Sequence, residues 1–186
     1  FLYRTIVVFT IIFAYIFFKE AITLKKWFLT LLILTGSYLL TTGGQIIALT
    51  RGDIYTLLMA ASAALVANIL IKHTVSRMHP DLSGSAISIV SAASLLIFGY
   101  LSGNFTLPVN LLMILVGAAF SFTLTMARNR AYTFSTASFV TMIFSLTPVF
   151  VALLSYPLLG ERLEPVEIVG GALIVGSTFL VEKFKI

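Results

Sequence analysis

The chain has 186 residues, of which 59% are hydrophobic and only 10% charged, and its mean hydropathy is +1.07. A soluble domain carries roughly a quarter charged residues to wet its surface, so the solvent around most of this chain is lipid and no part of it reads as a soluble globular domain. The net charge of +5 does not point to nucleic acid, because the basic residues fall in short clusters between apolar runs, and the absence of cysteine excludes disulfides and thiolate metal sites.

A helix needs about 20 residues to cross ~30 Å of hydrocarbon, so the uncharged runs set the span count. Phe1 stands where a start Met would be, and no basic start or cleavage site of a signal peptide precedes the first apolar run. The chain is therefore expected to be an internal fragment. Thr5 to Phe18 predicts a first span, followed by a polar turn from Lys19 to Lys26. Trp27 to Thr42 predicts a second, closed by Gly43-Gly44, and Ile54 to Ile71 a third, entered after Arg51-Gly52-Asp53 and closed by Lys72.

From Leu82 to Ala127 there is no Asp, Glu, Lys or Arg, a stretch more than twice too long for one crossing. The turn residues Ser102-Gly103-Asn104 and Pro108 divide it into two spans. Ala131 to Gly160 predicts a sixth span with Pro148 inside and Pro157 near its end, and Pro165 to Val181 the seventh. The expected fold is an all-α, polytopic transmembrane helix bundle.

Lysine and arginine placement orients it. With the first residues outside, the inner side holds Lys19, Lys25, Lys26, Lys72, Arg77, Arg128, Arg130, Lys183 and Lys185, against Arg4, Arg51 and Arg162 outside. Nine against three follows the positive-inside rule, and predicts a multi-pass cell-membrane protein with a cytoplasmic carboxyl terminus. Trp27 reads as an interfacial anchor.

A shift of 141 residues brings Val8-Phe9 onto Val149-Phe150, Tyr15 onto Tyr156, Glu20 onto Glu161, Ile33 onto Ile174 and Leu39 onto Leu180. The shared pattern is an apolar helix, a Glu turn, and a second apolar helix with a central glycine (Gly36, Gly176). An odd number of spans separates the two hairpins, so they have opposite orientations, as in the inverted repeats of secondary transporters. The arithmetic predicts two domains: residues 1–45 as the last two helices of a first repeat whose start is missing, and 52–186 as a complete second repeat of five helices. Seven spans are then seen of an expected ten.

The stretches Asn129-Arg130-Ala131-Tyr132, Ala137-Ser138, Leu146-Thr147-Pro148-Val149-Phe150, Leu158-Leu159-Gly160-Glu161-Arg162-Leu163 and Gly170-Gly171-Ala172-Leu173-Ile174 resemble the second repeat of the EamA family, in the drug/metabolite transporter superfamily. Phe18-Lys19-Glu20 with Trp27 to Leu40 resembles the end of its first repeat, although Lys19 stands where the second repeat has Gly160 and Val7 where it has Pro148. The resemblance implies ten helices and alternating access around a central cavity. It also implies export or exchange of a small organic solute.

The residues offer several candidates. Glu20 and Glu161 are the family-motif acids, and capping of a short surface connection explains them better than ion carriage, which places acids at mid-depth. Asn68 shares a face with Ala64 and Lys72 and reads as inter-helix glue or as a substrate contact. Ser138, Thr141 and Ser145 form a polar stripe before Pro148, a candidate cavity lining, with a weaker stripe at Gly117, Ser121 and Thr125 in the fifth span. Ala172 and Gly176 have the small-xxx-small spacing that favours close helix packing.

No catalytic, metal or cofactor site is expected. Asp53 and Asp81 fall at opposite faces, no HExxH motif occurs, and His73 and His79 lie in a loop. Partners expected are the lipid bilayer and a small-molecule solute, with a homodimer left open and nucleic acid excluded. Competing readings are a seven-helix receptor, which the absence of a lysine from Ile168 to Val181 disfavours as a retinal protein, and a scaffold subunit of a membrane complex.

Overall fold

In lipid a backbone amide finds no partner except within its own helix or a closed barrel, and every regular element among the described residues is helical. The structure, a computed structural model, describes residues 1–46, 50–103 and 111–184. Among the described residues five helices are long and apolar enough to cross a membrane: Arg51–Val75, Pro80–Leu101, Leu112–Phe134, Ala137–Leu159 and Pro165–Phe184. A shorter apolar helix, Leu2–Phe18, and a 19-residue helix, Leu24–Thr42, whose first turn carries Lys25 and Lys26, cover the other two expected spans. Asn104, Pro108 and Lys185, used above for a turn and for orientation, lie outside the described residues.

The chain forms two compact units, Phe1–Leu70 with Thr136–Ile186, and Ile71–Ser135. The first contains a 3-10 turn at Leu2–Thr5, α1 (Ile6–Phe18), α2 (Leu24–Thr42), α3 (Arg51–Ala63) and a π-helical stretch at Ala64–Leu70. After the second unit it resumes with α7 (Ala137–Phe144), α8 (Thr147–Leu159) and α9 (Pro165–Phe184). Its core is a cluster of Val7, Ile11, Leu29, Ile33, Met142 and Val181, where α1, α2, α7 and α9 meet.

The sixth span is broken where the sequence suggests a single helix. Pro148 has no N–H to donate, and the carbonyl of Phe144 instead accepts the Thr147 hydroxyl at 2.6 Å. Ser145 and Leu146 donate to the carbonyls three residues back, Met142 and Ile143, so the chain tightens before α8 restarts with Pro148 in its first turn.

Helix boundaries in this unit repeat at the shift of 141. α1 and α8 both have 13 residues, Ile6–Phe18 and Thr147–Leu159, and each ends in a left-handed residue, Lys19 (φ 55°) and Gly160 (φ 71°). In each the capping amide donates to a tyrosine carbonyl at 3.0 Å, Tyr15 in one and Tyr156 in the other. The following helices start at Leu24 and Pro165, again at the same shift.

α2 and α9 run antiparallel along their whole length. Lys25 lies over the Phe184 ring at one end, and at the other Gly43 faces Glu164. Midway they touch backbone to backbone: a Cβ on Gly36 would stand 2.7 Å from the Gly170 carbonyl, and one on Gly170 2.5 Å from the Leu40 amide. This corrects the expectation for Ala172 and Gly176. Ala172 is exposed and Gly176 has open space around it, because the face of α9 turned to α2 runs through Gly170, Ile174, Ser177, Thr178 and Val181. An all-apolar helix carries little sign of which face is the inner one.

The second unit contains α4 (Ile71–Val75), α5 (Pro80–Leu101) and α6 (Leu111–Phe134). α6 continues past Ala127 through Arg128 and Arg130, because a cation ends a hydrophobic span without ending a helix. α5 and α6 pack at Gly84, where a Cβ would lie 2.9 Å from the Met126 sulfur. Arg130 forks onto Asp81 at 2.9 and 2.8 Å, and Lys72 Nζ donates to the carbonyls of Tyr132, at 3.2 Å, and Ser135, past the last turn of α6.

Candidate functional site

The corner between α1 and α2 reverses the chain in five residues, and the left-handed Lys19 makes that reversal. It turns Glu20 toward the first residues of α7. A helix start has amide groups without intrahelical acceptors and a partial positive charge; Thr136 accepts the Phe139 amide at 3.2 Å, and Glu20 supplies the acceptors for the two before it. Ala137 N donates to Oε1 at 2.7 Å, while Ser138 donates to Oε2 through its hydroxyl at 2.6 Å and its amide at 3.3 Å. Lys26, buried in the same corner, donates from Nζ to the Ala21 carbonyl at 3.0 Å.

Ser138, Thr141 and Ser145 are all buried in this unit. Thr141 donates its hydroxyl to the Ala137 carbonyl at 2.8 Å and Ser145 to the Thr141 carbonyl at 3.2 Å. Their donors are thus satisfied on their own helix, and only Ser138 reaches another element. Asn68 sits in the π-helical stretch and donates to Thr10 Oγ1 at 2.7 Å, and Thr10 donates in turn to the Ile6 carbonyl at 2.7 Å. Asn68 and Thr10 are both buried, tying α1 to the π turn. A π turn inside an α-helix is frequent at functional sites.

The other end of this unit is open. A cleft of about 610 Å³ is lined by Arg4, Thr41, Pro148, Ser155, Glu161 and Arg162, with Glu167 beside them. Glu161 stands one repeat from Glu20, yet it makes no hydrogen bond or ion pair among the described residues. Glu167 is occupied, accepting the Glu164 amide at 2.8 Å to cap α9. A separate groove of about 530 Å³, walled by Leu24, Trp27, Phe28, Leu31 and Phe184, presents an apolar face.

The sequence candidates therefore fall into three places. Glu20 and Ser138 meet directly, with Thr141 and Ser145 further along the same helical segment, while Pro148 and Glu161 share the cleft at the opposite end. Ser121 and Thr125 belong to the other unit, where Thr125 donates to the Ser121 carbonyl at 2.9 Å and Ser121 is exposed. Arg4, Thr10 and Lys26 were not singled out by the sequence pattern. Arg4 alone carried a signal, a guanidinium at the very edge of an uncharged helix.

The model of the EamA-like transporter family matches residues 50–182, well over half of the chain. The chain belongs to the EamA-like transporter family. No curated protein and no solved structure matches it. An EamA-like protein is a membrane transporter of the drug and metabolite type, and both the broken α7–α8 helix and the Glu161 corner lie inside the matched region. Among the described residues no group of three or more His, Cys, Asp or Glu is arranged to hold a metal ion.

Proposed function

We propose that this EamA-like protein is a secondary transporter that moves a small organic metabolite or drug by alternating access, in the direction of export or exchange. The observation that carries the reading is the recurrence, at a shift of 141, of a helix, a left-handed corner and a glutamate, with the corners at opposite ends of the antiparallel α2–α9 pair. Inverted repeats give a transporter two equivalent conformations open to opposite sides. On this reading residues 1–45 and 52–186 belong to two repeats in a ten-helix, five-plus-five protein. The Glu20 corner and the carboxyl terminus then face the cytoplasm.

The two glutamates differ in a way that suits such a cycle. Glu20 is engaged on α7 while Glu161 stands free in a cleft. Opening the Glu20 end requires its carboxylate to release two amides and a hydroxyl, and hydrogen bonds to charged groups contribute about 1.5–3 kcal/mol each. The cap would then act as a latch. Once released, Ser138, Thr141 and Ser145 offer their oxygens to water or solute beside Pro148, with Asn68 as a further candidate contact in the same unit, while Ser121 and Thr125 are candidate solute contacts of the other unit, taken by itself.

Two experiments test this. The chain has no cysteine, so in a full-length protein whose remaining segments are also kept free of cysteine, a single cysteine placed beside Glu20 or beside Glu161 is unique, and impermeant thiol reagents should reach the two from opposite sides of the membrane. Labelling of both from one side rules out inverted repeats. In proteoliposomes a solute screen, with and without a pH gradient, should find at least one organic solute whose flux depends on the protein. Failure across amino acids, nucleobases, sugars and lipophilic drugs would remove the transport reading.

A further inference from the structure

We infer that the cleft at the Arg4 end is a binding site for a small monocarboxylate with an apolar body, held by the Arg4 guanidinium. This rests on the transporter reading for its purpose, but its binding chemistry stands on the cleft itself. At about 610 Å³ the cleft is in the range of small-molecule sites. Arg4 lies where the 3-10 turn meets α1 and is only partly exposed, and no hydrogen bond or ion pair reaches its guanidinium among the described residues. A cation removed from bulk water without an anion is costly. A planar fork of N–H donors is matched best by a carboxylate, two oxygens against two donors.

The remaining groups narrow the class. Leu40, Val151 and Leu159 form apolar walls, so the body of the solute is apolar. Glu161 and Arg162 are neighbours on the exposed rim, and Glu167 accepts the amide that caps α9. The lining carries two cations and two carboxylates, so Arg4 is singled out by its partial burial without a hydrogen bond or ion pair among the described residues and not by an excess of charge, and the two carboxylates repel any second negative charge that a dicarboxylate or a phosphate would bring. Thr41 and Ser155 line the same cleft, where each can donate to the carboxylate only by giving up its present bond, from Thr41 to the Ser37 carbonyl at 2.6 Å and from Ser155 to that of Ala152 at 3.0 Å.

The test is calorimetric titration of the full-length protein in dodecyl maltoside, a detergent without phosphate, so that no lipid headgroup competes for Arg4. The probes are butyrate, hexanoate and phenylacetate, with phenylacetamide, succinate and inorganic phosphate as contrasts. At least one monocarboxylate should bind, and Arg4→Gln should weaken it by about tenfold to a hundredfold, the range for a charge-assisted hydrogen bond, with partial recovery in Arg4→Lys. Phenylacetamide, succinate and phosphate should bind more weakly than that monocarboxylate. Glu161→Gln should raise succinate relative to it, a selectivity change that leaves Arg4 untouched and needs no Arg4 variant to fold.

Absence of binding by all three monocarboxylates, binding unchanged in Arg4→Gln, or succinate or phosphate as the better ligand would overturn the assignment. Flux of some unrelated solute in proteoliposomes together with any of those results would sink this site and leave the transporter standing. Carboxylate binding with no flux of any solute would do the reverse.

Discussion

The Ser138 hydroxyl donates to the Glu20 carboxylate at 2.6 Å, joining positions 118 residues apart in the chain. The same carboxylate takes two backbone amides of α7, so Glu20 substitutes for the missing preceding turn of that helix. Replacing Glu20 with alanine leaves the Ala137 and Ser138 amides without acceptors, while Thr136 still caps the Phe139 amide, a loss of about 1–3 kcal/mol. Glu161→Ala removes no hydrogen bond among the described residues and should fall within about 0.5 kcal/mol, as surface changes do. Thermal unfolding in detergent should rank Glu20→Ala several degrees below Glu161→Ala. Equal midpoints would mean that Glu20 does not hold α7.

Lys19 adopts a left-handed backbone at φ 55°, where its repeat mate is Gly160 at φ 71°. A side chain at such a position costs about 1–2 kcal/mol that glycine avoids. Lys19→Gly should therefore raise the unfolding midpoint, and Gly160→Ala should lower it. A Lys19→Gly protein less stable than the parent would show that the lysine side chain contributes more than its backbone costs.

The α2–α9 contact predicts a sharp contrast between glycines. Gly170→Ala places a Cβ 2.5 Å from the Leu40 amide and 2.7 Å from the Gly36 carbonyl, and forcing the helices apart should cost about 1–3 kcal/mol. Gly176→Ala meets nothing within 4 Å and should be neutral or stabilising through helix propensity. Folded yield by size-exclusion chromatography separates the two.

Buried hydroxyls give a fourth prediction with the opposite sign. Ser37 and Ser177 are buried on α2 and α9, and neither hydroxyl has a hydrogen-bond partner among the described residues. An unmet buried donor costs about 1–3 kcal/mol, so Ser37→Ala and Ser177→Ala should each stabilise the fold. A lower midpoint in either would indicate that the hydroxyl meets a partner during the working cycle or in the membrane.

What could be read from the residues follows from which interactions are local. The spans announced themselves as uncharged runs, and the corners at Lys19-Glu20 and Gly160-Glu161 as a repeated pattern, because both depend on neighbours in sequence. The helix break fell at Ser145-Leu146 instead of passing straight through Pro148, since the proline acts on the turn that precedes it. Contacts between distant segments were harder. Nothing in the apolar run of α9 distinguishes Gly170 from Gly176 as the contact, for a lipid-facing side is as hydrophobic as a packed one. Glu20 was readable as a cap, but its acceptor duty toward Ala137 and Ser138 depends on a fold that brings the first corner beneath the seventh helix. Arg4 counted only as a topological charge until the cleft gave it surroundings.

The seam between α2 and α9 has one more consequence. Where Gly36 meets Gly170 no layer of side chains lies between the two backbones, so there are no rotamers that could change to let one helix slide or tilt on the other. At that crossing the two helices are expected to move together, and on the alternating-access reading any rocking would turn about it.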